Sequence, residues 1–97
     1  MTKLNLDLVR RNVAEARAEL EQIEAALLSA EKPREHQLQV WFDHAFHHLN
    51  FAWNARHATV RRGIECADED FNRWGRFPAD INFATVTVPR KRRARKA

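Results

Sequence analysis

The sequence predicts an all-α protein: an antiparallel helical hairpin that forms a homodimeric four-helix bundle, with a short third helix and an extended basic C-terminal tail. Three observations predict it. Apolar residues in the first third recur at steps of three and four, which is a helical seam. A proline breaks the chain after that seam. The segment beyond the break carries apolar side chains on two sides, more than one neighbouring helix can cover.

Helix 1 is expected over about residues 5–31. Asn5 is a suitable N-cap, and Asp7 in the first turn suits the positive end of the helix dipole. Leu6, Val9, Val13, Ala16, Leu20, Ile23, Leu27 and Ala30 form the coiled-coil seam. Small Ala16 and Ala30 let a neighbour with large side chains come close. Pro33 disfavours helical geometry at Lys32 and is tolerated in the first turn of a new helix, so helix 2 is expected over about 33–62. So short a connection makes the two helices antiparallel neighbours.

Residues 40–57 hold two of the three Trp, three of the six Phe and four of the five His. The main apolar stripe is Leu38, Trp41, Phe42, Ala45, Phe46, Leu49, Ala52, Trp53 and Val60, which covers helix 1. A second line, Val40, Phe51 and Ala58, lies nearly opposite and is the expected dimer interface. Charge supports a head-to-tail pairing of two hairpins. Helix 1 begins with Lys3, Arg10, Arg11 and Arg17 and ends with Glu19, Glu21, Glu24 and Glu31, while helix 2 begins with Glu35 and ends with Arg56, Arg61 and Arg62. Exposed pairs contribute only ~0–1 kcal/mol each, so they set orientation rather than stability.

Gly63 after Arg61 and Arg62 reads as a helix stop. Asp68, Glu69 and Asp70 open a short helix over about 68–74, closed by Gly75, with Phe71 and Trp74 turned toward the bundle and the carboxylates near Arg61 and Arg62. These elements make a helical domain of 1–75. Residues 76–89 are expected to be extended or a short strand, because 81–88 alternates and is β-branched. Residues 90–97 are expected to be a disordered basic tail.

The net charge of +4 divides unevenly. Arg90, Lys91, Arg92, Arg93, Arg95 and Lys96 stand in a stretch without acids, which leaves 11 basic and 13 acidic residues before it, a net of −2. Such a tail attracts nucleic acid or another polyanion without reading its sequence. There is no apolar run long enough for a membrane span and no signal-peptide pattern at the N-terminus, and Cys66 is the single cysteine. Cytoplasmic placement is the expectation.

No catalytic motif is visible, and the expected role is a non-enzymatic interaction module without a cofactor. Two other readings compete with it. In one, a bundle binds a zinc-like metal or a small ligand through His44 and His48, four apart on one helical face, with His47 beside them; the zinc-peptidase and di-iron patterns both lack their glutamates here. In the other, the chain is a protein–protein scaffold. The polar strip of Asp43, His47, Asn50, Asn54 and His57 reads as a wet or interface-facing surface.

Overall fold

The computed structural model describes residues 3–81. It contains four helices, α1 (Leu6–Leu28), α2 (Glu35–Asn54), α3 (Val60–Glu65) and α4 (Asp68–Trp74), and no strand among the described residues. The described part of the protein is all-α. None of the described helices is long and apolar enough to cross a membrane. The residues of the expected strand after Ile81, and the whole basic tail, lie outside the described residues.

Helix α1 starts where its capping chemistry directs. The Asn5 carboxamide oxygen accepts from the Leu8 amide at 3.1 Å. The same residue also ties down the far end of α2, its amide donating to the Arg56 carbonyl at 2.7 Å and its side-chain Nδ2 to the Ala58 carbonyl at 3.0 Å. One residue therefore caps α1 and satisfies two carbonyls of the turn that follows α2. The chain turns over Ser29–Arg34, and Gln37 anchors the start of α2 by accepting from the Arg34 amide at 3.0 Å.

The hairpin packs on small residues. Ala16 of α1 and Ala45 and Ala52 of α2 are buried, together with Leu8 and Ile23. Three of these five buried residues are alanines, and Ala30 lies past the helix end and exposed.

Helix α2 is shorter than the sequence predicts. It stops at Asn54, and a separate helix follows, with the Thr59 hydroxyl oxygen as N-cap accepting from the Arg62 amide at 3.1 Å. Gly63 accordingly lies inside α3 and is not a stop. Its role is close approach, since a Cβ there would stand 2.8 Å from Leu8 Cδ1. Cys66 ends α3 in the left-handed region at φ 40°. The chain then folds back, and Trp74 of α4 joins Leu8 and Ala55 in a core cluster on which Phe51, Ala58 and Cys66 pack.

This fold-back corrects the expected dimer interface. Phe51 and Ala58 are packed within their own chain, and of that line only Val40 remains exposed. Two helices cannot shelter both stripes of α2, but the chain supplies a third layer from residues 60–75.

Candidate functional site

The polar strip of α2 is a seat for α4. Asn50 Nδ2 donates to the Gly75 carbonyl at 3.0 Å, and Asn54 Nδ2 donates to the Trp74 and Arg76 carbonyls at 2.9 and 2.7 Å. Carbonyls at the end of a short helix lack intrahelical partners, and these two carboxamides supply them. His47 completes the seat, its ring 4.8 Å from Phe51 and 4.9 Å from Phe71, centroid to centroid. Gly75 passes so close that a Cβ would stand 2.8 Å from His47 Cε1. Burial pushes the His47 imidazole below its ordinary range, the neighbouring His48 and His44 add to that, and Asp43 opposes it.

Asp70 fixes the other side of α4. Its carboxylate is buried and accepts from Arg62 at 2.5 Å and from Arg73 at 3.1 Å. Arg62 also lies over the Trp74 ring at 5.5 Å, and the carboxylate raises its pKa. Arg61 takes no part; it pairs with Glu65 at 3.1 Å.

The histidines of the candidate metal site have different surroundings. His44 is exposed, His47 stacks in the α4 seat, and His48 turns to Asn12 of α1, Nδ1 to Oδ1 3.5 Å. Among the described residues there is no group of three or more metal-ligating side chains. Cys66 is partly buried, and burial together with the Asp70 and Asp68 carboxylates pushes its thiol up, away from the reactive thiolate.

What the chain leaves open is apolar. On α1, Leu6, Val13, Leu20 and Leu27 recur every seven residues and are 64%, 47%, 51% and 45% exposed. On α2, Phe42, Phe46, Leu49 and Trp53 follow one another at steps of four, three and four and are 44%, 58%, 45% and 38% exposed. Each row borders the buried alanine contact, and the two share one side of the hairpin. Leu6 and Val9 line a groove of about 310 Å³ with Leu49, Ala52, Trp53 and Arg56. A second hollow, about 790 Å³, lies along α2 beside Val40, Phe42 and Phe46.

At the edge of this face the end of the described chain is latched. Trp53 Nε1 donates to Asp80 at 2.8 Å, Arg56 donates to the same carboxylate at 3.0 Å, and the Arg56 guanidinium lies 3.8 Å over the Trp53 ring. The Trp53 hydrogen bond, followed by Arg56, holds the Asp80 carboxyl below its usual range. The chain thus leaves beside the C-terminal end of α2, next to the start of α1.

Sequence reasoning identified all eight members of the open face but assigned them to the intramolecular contact. It placed the α4 carboxylates near Arg61 and Arg62, of which the Asp70–Arg62 pair forms, and it missed the two asparagines as structural anchors. The available signal was Asn50 and Asn54, four apart, beside an apolar stripe: on a helix, such a pair can hold the end of a neighbouring segment. Comparison of the chain with protein-family profiles, with curated proteins and with solved structures finds no match.

Proposed function

We propose that this chain is a non-enzymatic interaction module that pairs with a second copy of itself to form a four-helix bundle. In this reading its C-terminal residues Arg90, Lys91, Arg92, Arg93, Arg95 and Lys96 make sequence-independent contact with nucleic acid or another polyanion. The observation that carries the proposal is the open face of Leu6, Val13, Leu20 and Leu27 beside Phe42, Phe46, Leu49 and Trp53. Eight large apolar side chains, each about half exposed, amount to roughly 600 Å² if a whole one is taken as ~150 Å². A typical monomer shows no patch larger than about 300–600 Å². Two such faces together reach ~1,200 Å², the lower end of what stable protein interfaces bury.

A second copy is the occupant that explains why the rows run at heptad spacing, since seven-residue recurrence keeps side chains in register with another helix over several turns. The tail's part rests on composition: six cations in eight residues, with no acid among them.

Sedimentation equilibrium of the full chain at micromolar concentration tests the assembly. A dimer is expected, and the double variant Leu20→Glu/Phe46→Glu is expected to be a helical monomer, because carboxylates buried without partners cost several kcal/mol per interface. A wild-type monomer overturns the reading. For the tail, binding to duplex DNA at low salt is expected to disappear when residues 90–97 are deleted, and unchanged binding removes that half of the proposal.

A further inference from the structure

The large side chains of the open face are arranged by level along the hairpin, and the levels choose how a second copy sits on them. We infer that the two copies pack about a two-fold axis running along the helices, so that α1 of each lies on α2 of the other and Trp53 of each copy meets Leu6 of the other. The inference rests on the dimer proposed above and adds which helices meet and which residues pair.

The register of the hairpin is fixed by Asn5 bonding to Arg56, by Asn12 reaching His48, and by Leu8 sharing a buried cluster with Ala55. By that register, to within a turn, Leu6 lies level with Trp53, Val13 with Leu49 and Phe46, Leu20 with Phe42, and Leu27 with the first turn of α2. Rotation about an axis along the helices keeps every level where it is. Leu6 then lies over Trp53 of the second copy, Val13 over its Leu49 and Phe46, Leu20 over its Phe42, and Leu27 over its Leu38, which is only partly buried. The groove lined by Leu6, Val9, Leu49 and Trp53 faces its own counterpart and closes on it. Every member of the open face gains a partner, and each helix has only antiparallel neighbours, as in an up-and-down bundle.

An axis crossing the helices reverses the levels and cannot do the same. The α1 row runs from Leu6 to Leu27, whereas the α2 row starts beside Leu6 at Trp53 and stops at Phe42, well short of the level of Leu27. The two rows are not centred on one level. A crossing axis centred on the α1 row sets Trp53 over the polar start of the other α2, at Glu35 and His36. Centred on the α2 row, it leaves Leu27 facing water beyond the other copy's end.

Charge on the outer flank agrees. Arg10 and Arg17 stand one turn beyond Leu6 and Val13. In the inferred bundle Arg17 is level with Asp43 of the second copy, and Arg10 with its Trp53, which holds Asp80. Present partners compete little: Arg10 and Arg17 reach Asp7 and Glu21 at 3.2 and 3.5 Å, all exposed, and Asp43 has no ion pair among the described residues. The arrangement also brings Glu24 near Glu35 of the second copy, a like-charge contact at exposed side chains that salt screens. The charges at the helix ends, taken alone, favour the head-to-tail pairing expected from the sequence. Exposed charges are worth a fraction of a buried large apolar side chain, so coverage of the face prevails.

Two measurements test the arrangement, both on the full chain. With Cys66→Ser, nitroxides placed singly at Lys3→Cys and at Glu31→Cys are each expected to give a dipolar distance below ~30 Å, the diagonal of a four-helix bundle plus two label arms. A crossing axis between Val13 and Leu20 would separate both pairs by ~40 Å or more. Independently, Arg17→Asp is expected to raise the dimer dissociation constant about tenfold at low salt, since the contact occurs twice, and Arg17→Asp/Asp43→Arg is expected to restore it. A dimer with long distances at the two sites, or one that the charge exchange does not rescue, overturns the inferred axis and leaves the dimer standing. A wild-type monomer overturns the dimer itself.

Discussion

On one side of α2, His47, Asn50, Phe51 and Asn54 are met by α4, and their polar atoms and rings have partners at hydrogen-bond and stacking distance. On the other side, Phe42, Phe46, Leu49 and Trp53 remain roughly half exposed. Both sides belong to one 20-residue helix, and both are rich in aromatics. The difference teaches that apolar content alone does not say which side a chain closes for itself. The covered side carries carboxamides that bind backbone carbonyls, so it can hold a particular segment in one register. The open side carries only hydrocarbon and rings at regular spacing, which suits a helix of any chain with the matching period.

The largest expected effect breaks the covered side. Trp74→Ala removes the ring that joins Leu8 and Ala55 and that Phe51 meets edge-on at 5.7 Å. A loss of about 3–5 kcal/mol is expected in urea denaturation. Phe46→Ser on the open side, measured in the monomeric background, is expected to change stability by less than about 0.5 kcal/mol. Equal losses would erase the distinction between the two sides.

Next comes the tight passage of the chain over His47. A methyl group at Gly75 would meet the imidazole at 2.8–2.9 Å and the Phe71 carbonyl at 3.2 Å. Gly75→Ala is expected to destabilise by about 1–3 kcal/mol, as overpacking does. Gly63→Ala is expected to cost less. There the obstacle is one terminal methyl of Leu8, which can rotate, and alanine favours the helix by roughly 1 kcal/mol.

The smallest effect is a pH dependence confined to the covered side. Burial holds the His47 pKa below its ordinary value of 6.5, so in acid the unfolded chain binds more protons than the folded one. Stability is therefore fully present above that ordinary value and declines as the pH falls through it toward the folded pKa. Urea midpoints at pH 8 and pH 5.5 measure the decline, and His47→Phe is expected to flatten it. An unchanged slope would assign the acid sensitivity elsewhere.

Much of this architecture is written locally. Asn5 followed by Leu6 and Asp7 starts α1, Pro33 separates the two long helices, and three consecutive acids open α4. The end of α2 was not legible in the same way. Residues 55–59 hold no glycine or proline, and past the helix end the Arg56 and Ala58 carbonyls are taken by Asn5, some fifty residues earlier. Nor did the His44, His47 and His48 spacing reveal their fates. Residues close in sequence on one helix are drawn to different neighbours, His47 to α4 and His48 to α1.

The sequence by itself determined that the chain is helical, where α1, α2 and α4 begin to within about two residues, that α2 is apolar on two sides, and that its cations crowd at one end. These follow from side-chain periodicity, capping groups and proline, which act within a turn or two of where they stand. Which apolar stripe is sheltered was decided only by the tertiary structure. That choice depends on Trp74 reaching Leu8 and Ala55 and on Asn54 reaching the end of α4, contacts between residues roughly twenty to sixty-six positions apart. Helical periodicity gives the two stripes equal standing, and only the return of the chain separates them.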